Sequence, residues 1–382
     1  MVDDVSPGQQ RGQDLPGRPV GDSGRPDGSR PAGSGTAARG PADAAPGSGT
    51  APGPGSGSVV LEPVDEVSVT VLVDNCFDSL VRSTDRAVRP QMTRLRPTPA
   101  AQFVEGVTGC GLRAEHGYSA LVTVRTGRST GTVLLDTGIS PDGLLSNVDA
   151  LGIDLDPVEA VVLSHGHYDH TGGLATLARR RPGLELVTHP VAWSRRRFRV
   201  PGRDVRPLPT LRRAAVEQAG YRIEERTGPS TLAGGRVLVT GRVDRVVPFE
   251  QGTPFHEIHR DGEWVPDPEL VDDQALVVHV RGEGLVVLTG CGHSGVVNTV
   301  EHARRLTGVE RVLGILGGFH LSGADRGSRI DPTVGRLAEL APALVVPSHC
   351  TGWEAQFRIA AELPGAFVPN SVGTRYVLRA GS

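Results

Sequence analysis

Residues 59–382 of the 382-residue chain predict an α/β fold. Short apolar runs rich in β-branched residues and bounded by Gly and Asp recur along this stretch in the manner of strands. Its last third alternates strand-like and helix-like segments, the order expected of an α/β domain. Its length suffices for one large core or two small ones, and one large domain is the expectation. Residues 1–58 hold 14 Gly and 9 Pro, with Met1, Val2, Val5, Leu15 and Val20 as their only large apolar or sulfur-bearing side chains. Such a segment cannot bury enough apolar surface to offset chain entropy, so it is expected to be a disordered tail.

The first strand is expected over 67–73. Runs 120–126 and 132–135 read as a hairpin joined by a five-residue loop, 127–131. A compact β-branched run, 160–163, is followed by a helix over 172–180, where Leu174, Leu177 and Ala178 share one side and Pro182-Gly183 stops it. Residues 184–188 form another strand, and the Arg-rich, Pro-punctuated stretch to 211 reads as an irregular excursion. Strands 237–240 and 275–280 bracket a polar loop. The remainder reads as strand 285–289, helix 296–306, strand 309–316, helix 333–340, strand 344–346 and helix 353–363.

Composition excludes several chemistries. The chain has no Lys, so all 40 basic residues are Arg. A Walker A loop and a pyridoxal Schiff base both require Lys and are ruled out. No stretch approaches 18 apolar residues and the N-terminus has no apolar signal-like region, so a soluble, cytoplasmic protein with no membrane partner is expected. The four cysteines, Cys76, Cys110, Cys291 and Cys350, form no C-x-x-C and are expected to be reduced thiols. Between Arg179 and Arg213 stand eleven Arg against Glu185 and Asp204. That local excess of positive charge is either a solvated basic face or a site for a phosphorylated substrate, with Arg195, Arg196 and Arg197 as its candidate contacts.

The segment Ser164-His165-Gly166-His167-Tyr168-Asp169-His170 concentrates four metal-competent side chains between a strand and a helix. His165 and His167, two residues apart, cannot share a helix face, so they converge from a loop. Two imidazoles there can hold one metal at about 2.0–2.1 Å while Asp169 and His170 reach a second. A structural histidine cluster of this density has few bland explanations.

This H-x-H-x-D-H loop resembles that of the metallo-β-lactamase superfamily. Further segments, among them Leu134-Leu135-Asp136-Thr137-Gly138, Thr289-Gly290-Cys291-Gly292-His293-Ser294-Gly295, Gly317-Gly318-Phe319-His320-Leu321 and Pro347-Ser348-His349-Cys350-Thr351-Gly352, are similar to the branch that includes an archaeal 7,8-dihydropterin-6-methyl-4-(β-D-ribofuranosyl)aminobenzene 5′-phosphate synthase. The resemblance implies an αββα sandwich, two mixed sheets face to face with helices outside and metals where strands end. It implies His165, His167, Asp169, His170 and His349 as metal ligands, and Asp136 as the acidic residue that orients a ligating imidazole. Where most relatives carry a bridging Asp, this chain has Cys291, and the usual middle His ligand has no counterpart ahead of strand 275–280, where Asp272 and Asp273 stand instead.

His293 is the expected substitute ligand. Cys291 either ligates directly or is a packed thiol beside a ligating His293; the second arrangement is the expected one, since Gly290 and Gly292 let the loop swing His293 inward. His320 is a ligand, general acid or substrate contact, and with Asp169 it is the catalytic candidate. The resemblance raises His116 to a substrate contact, whereas His189, His256, His259, His279 and His302 are read as bystanders. His-rich ligation favours two zinc ions, with iron, manganese and magnesium as the other metals.

Two divalent ions suit hydrolysis, and equally displacement at a carbon bearing a diphosphate. The expected function is a metal-dependent hydrolase acting on a small phosphorylated or pterin-related anionic metabolite. The alternative is a transferase that condenses a dihydropterin-methyl diphosphate with an aminobenzene ribotide. A nucleic-acid phosphodiesterase or nucleic-acid-binding role is the third reading, weakened because only Trp193 and Phe198 accompany the arginines.

Overall fold

The computed structural model describes residues 58–109, 111–323 and 327–381. The expected tail, 1–58, and Cys110 lie outside the described residues, apart from Ser58.

Two mixed sheets pack face to face. The first has eight strands in the spatial order Arg222–Glu225, Glu185–Thr188, Val158–Val162, Ser129–Leu135, Ser119–Thr126, Glu66–Val73, Arg375–Arg379 and Ala87–Val88. The first four of these run parallel and the rest pair antiparallel. The second has six strands, Ser230–Leu232, Val237–Val239, Ala275–Val280, Gly284–Thr289, Val312–Gly318 and Leu344–Ser348, the last three parallel.

Alternation along the strands explains the layering. Val67, Val69, Val71, Val122, Val133 and Leu135 of the first sheet meet Val237, Leu276, Val278, Val286 and Leu288 of the second in one dry core. The opposite faces are apolar too. Leu72, Leu134, Val161 and Leu186 lie against Leu144, Val148, Leu174, Leu177 and Val216 from helices Gly143–Leu151, Leu174–Arg180 and Arg213–Ala219. Val277, Val287, Ile315 and Val345 lie against Val296, Val300, Val334, Leu337 and Ile359 from helices Val296–Thr307, Gly327–Leu340 and Trp353–Glu362. Sheets with apolar residues on both faces require a helix layer on each side, which is the αββα sandwich that the family resemblance implies.

Several local expectations are corrected. The hairpin turn has two residues, because Thr126 pairs with Ser129; Gly127 at φ +57° supplies the positive φ that such a turn needs. The helix expected over 172–180 spans Leu174–Arg180, and a separate short helix, Tyr168–Thr171, precedes it within the histidine loop. Helix Gly327–Leu340 starts ahead of Pro332 instead of after it. The Arg-rich excursion contains strand Arg196–Phe198, and the polar loop contains the hairpin His256–Arg260 and Glu263–Pro266. Together with Arg206–Pro207 these form a small antiparallel sheet.

Candidate metal centre

The chemistry-bearing residues converge because the strands that precede them end together. Asp74 follows strand Glu66–Val73, Asp136 follows Ser129–Leu135, and the histidine loop follows Val158–Val162. Cys291 and His293 follow Gly284–Thr289, His320 follows Val312–Gly318, and His349 follows Leu344–Ser348. Ligand sites in α/β proteins sit at such carboxyl ends.

Asp136 organises the first arc. It is fully buried, with φ +56°. Its Oδ1 accepts from the Ser164 backbone N–H at 2.7 Å, and its Oδ2 lies 2.7 Å from both Ser164 Oγ and His170 Nδ1. His170 Nδ1 is thereby the donor, which leaves Nε2 to face the centre. Ser164 Oγ also lies 3.0 Å from His165 Nδ1. Asp272 fixes the loop from the other side, accepting from Gly166 N at 2.9 Å while held by Arg196 at 2.6 Å. Gly166 and Gly290 permit the close approach: a Cβ on Gly166 would collide with the Ala192 carbonyl, and one on Gly290 with Ser164 Oγ and Asp136 Oδ2.

Around this arc the imidazoles form one connected cluster. Ring centroids lie 4.4 Å apart for His165 and His170, 4.5 Å for His165 and His167, and 4.8 Å for His165 and His293. His170 and His349 are 4.9 Å apart, as are His349 and His116, and His293 and His320 are 4.1 Å apart. Asp169 Oδ2 stands 3.4 Å from His349 Nε2, 3.7 Å from His170 Nε2 and 3.9 Å from His116 Nε2. The His349 backbone, at φ +50°, is clamped: its N–H donates to Asp74 at 2.7 Å and its carbonyl accepts from Asn75 at 2.8 Å.

Cys291 is central. Its Sγ lies within 4.8 Å of donor atoms of His165 and His293, of His170 and His349, and of His320 and Cys350. Cys350 Sγ is 3.1 Å away, and both are free thiols, as is Cys76. His293 also points into the cluster, so the geometry brings both the thiol and the imidazole within reach of one centre.

The donor set fits a metal. Nε2 of His165, His167 and His170 and both ring nitrogens of His293 are buried with no hydrogen-bond partner, an expensive arrangement unless something else satisfies them. Burial first, then neighbouring imidazoles, holds His165 and His293 well below the usual histidine range. Burial pushes His167 and His349 down to about 4. Neutral imidazole is the ligating form. His170 differs: burial opposes its charge, but Asp136 and Asp169 outweigh it and push the group up to about 9. Asp169 stays well below the usual carboxylate range despite burial, because of His170 and His349. Burial and Cys350 push the Cys291 thiol well up, so a bound cation would be needed to hold it as thiolate.

The arginines fall elsewhere. Arg196 is buried against Asp272 and Asp267, the latter at 3.5 Å. Arg197 and Arg199 share Glu257, and Arg195 and Arg197 lie over the Trp264 ring at 5.7 and 4.2 Å. The carboxylates that pair with Arg196, Arg197 and Arg199 lie outside the Arg179–Arg213 window, so the charge excess counted along the sequence is offset in space. Arg195, Arg196 and Arg197 do not line either cavity at the cluster.

His256 belongs at the cluster although sequence reasoning set it aside. Its ring stacks on His167 at 5.4 Å and lies 5.8 Å from His293. The hairpin of the small sheet delivers it, and no spacing in the sequence announces that. His189 instead accepts from Val191 N, His259 packs on Trp264, and His302 sits beside Arg305.

Two adjoining cavities open at the cluster. One of about 180 Å³ is lined by His116, His167, Asp169, Cys291, His293 and His320 among others. The other, about 490 Å³, shares His116, Ser322, His349 and Cys350 with it and extends toward Trp353 and Asn370.

Comparison with known proteins agrees with this architecture. The metallo-beta-lactamase superfamily model matches residues 113–306, and the chain belongs to that superfamily. Among its relatives is the 7,8-dihydropterin-6-methyl-4-(beta-D-ribofuranosyl)-aminobenzene-5′-phosphate synthase of Methanocaldococcus jannaschii, 28% identical over 253 residues that cover 64% of this chain and 83% of the synthase. An uncharacterised protein of the same archaeon is 28% identical over 257 residues, 65% of this chain and 88% of that one. Among solved structures, a metal-dependent hydrolase of the β-lactamase superfamily is 26% identical with a TM-score of 0.61, covering 83% of this chain and 100% of that one. Among the described residues no helix is long and apolar enough to cross a membrane.

Proposed function

We propose that this chain is a metal-dependent transferase that joins a dihydropterin-methyl diphosphate to an aminobenzene ribotide and releases pyrophosphate. The observation that carries this reading is the likeness to the archaeal synthase over 83% of that protein's length. The cavity walls agree with it. Neither cavity has an arginine among its described lining residues, so a diphosphate brought there relies on metal for neutralisation.

His165, His167 and His293 would hold one ion and Asp169, His170 and His349 the other, and Cys291, within reach of donors of both sets, would add a thiolate. Two divalent ions supply Lewis-acid stabilisation of a departing pyrophosphate. Imidazole and thiolate donors favour zinc or iron over magnesium or manganese. In the transfer, the amine nitrogen bonds to the methyl carbon as the carbon–oxygen bond to the diphosphate breaks. The amine proton goes to His320, on the wall of the smaller cavity.

A hydrolase acting on a phosphorylated or pterin-related metabolite is the second reading, favoured by the solved relative described as a metal-dependent hydrolase. One assay separates them: metal-loaded protein is given the dihydropterin diphosphate with and without the ribotide. Pyrophosphate release that requires the ribotide supports the transferase; equal release with water as acceptor overturns it in favour of the hydrolase.

A further inference from the structure

We infer that the 490 Å³ cavity beside the metal donors receives the uncharged, planar ring system of the substrate, a 2-amino-4-oxo heterocycle, stacked on Trp353 and read at its polar edge by Asp78, while the phosphates occupy the smaller cavity. This rests on the transferase reading for the identity of the ring, but it is carried by features of the cavity itself.

Its size suits a bicyclic ring, since small-molecule pockets run from about 300 to 1,000 Å³. Away from the edge that it shares with the smaller cavity, where His116, Ser322 and His349 stand, its polar wall comes from Asp74, Asn75, Asp78, Gln356 and Asn370, with no arginine among the described lining residues. The carboxylates of that wall repel phosphate and accept N–H groups. Asp74 is already committed, bonded to the His349 N–H and to Asn370 at 2.6 Å. Asp78 is exposed; its backbone is held by Ser371, while its carboxylate accepts locally, from the Leu80 N–H at 2.8 Å. One carboxylate can accept both N–H groups of a 2-amino-4-oxo edge, as it accepts the fork of an arginine.

Trp353 is 65% exposed, although a ring of that size is normally covered. It stands at the start of helix Trp353–Glu362, immediately after Gly352, on the cavity wall. Its neighbour Phe357, with ring centroids 6.0 Å apart, is 67% exposed as well. An uncovered indole beside a polar-edged cavity is the arrangement that binds flat heterocycles by stacking.

The test is equilibrium binding to the metal-loaded, full-length protein of three probes: pterin, its 2,4-dioxo analogue lumazine, and inorganic pyrophosphate. Wild type should prefer pterin over lumazine. Trp353→Ala should weaken pterin about 10-fold or more, within the range of aromatic stacking, and leave pyrophosphate unchanged. Asp78→Asn should abolish the preference for pterin over lumazine. Both side chains are exposed, so the variants should fold, which circular dichroism verifies. Unchanged pterin affinity in both variants, or equal loss of pterin and pyrophosphate affinity in Trp353→Ala, would overturn the assignment. Selective pterin binding with no transferase activity would sink the transferase reading and leave the pocket standing. Ribotide-dependent turnover with kinetics unaltered by either substitution would do the reverse.

Discussion

Asp136→Asn removes one charge and one acceptor from the point where three donors converge. Ser164 N–H, Ser164 O–H and His170 Nδ1 all lie 2.7 Å from the two carboxylate oxygens. Asn tolerates the φ of +56° at this position, so the backbone should hold and the change is confined to the side chain. The amide keeps one oxygen and turns its NH₂ toward at least one former donor. If it keeps the Ser164 backbone bond, the NH₂ faces His170 Nδ1, which must then accept and carry its proton on Nε2. That tautomer cannot ligate. Loss of such an orienting partner costs about 10- to 100-fold in metal affinity, or about 1.4–2.7 kcal/mol at 1.36 kcal/mol per decade. Competition with a chromophoric chelator measures it. Affinity within about 3-fold of wild type, in a protein whose circular dichroism is unchanged, would show that Asp136 does not orient a ligand.

Arg196→Met should destabilise the fold by about 3–5 kcal/mol in urea denaturation, because it leaves buried Asp272 and Asp267 without their counter-charge; a loss below about 1 kcal/mol would mean that water reaches the pair. Glu250, which accepts from the Val297 and Asn298 N–H groups at the start of helix Val296–Thr307, is pushed up to about 7 from 4.5, chiefly by burial. The folded state therefore holds this proton more tightly than the unfolded chain. The stability it contributes is full below pH 4.5 and falls as pH rises to about 7, by about 3 kcal/mol. Glu250→Gln should flatten that part of the stability–pH curve, and a slope equal to wild type would refute it.

The layers and the first donors were legible because they are local. Apolar alternation reports which faces of a strand are covered, and the histidine loop places four donors within six residues. What was not legible depends on distant pairing. The small sheet is built from three short strands and one two-residue strand separated by loops, none long enough for a period to show. With it went His256, brought to His167 by that sheet. The arginine window misled for the same reason. Counted along the chain it is strongly basic, yet Asp272 reaches Arg196 from 76 residues away and Glu257 reaches Arg197 from 60. Charge counted in a window predicts a surface potential only when its counter-charges lie in the same window, and in a sheet protein they rarely must.

Backbone conformation supplies the remaining reason that these residues form a site. Among the described residues, seven other than glycine have positive φ, and three of them are Asp136, His320 and His349, each just past a strand end at the cluster. Glycine would adopt that conformation at lower cost, and each such position costs about 1–3 kcal/mol for other residues. The strain persists where surrounding contacts over-determine it. Asp136 is held by its three donors, and His349 by Asp74 on its N–H and Asn75 on its carbonyl. Asp74 is in turn held by Asn370, whose carbonyl accepts from Tyr376 Oη at 2.8 Å. A left-handed residue at the end of a strand bends the chain sharply, so the segment that follows leaves the strand direction at once. That conformation serves His320 and His349, whereas His165, His167, Asp169, His170, Cys291 and His293 reach the same volume without it, from loops that begin where neighbouring strands end.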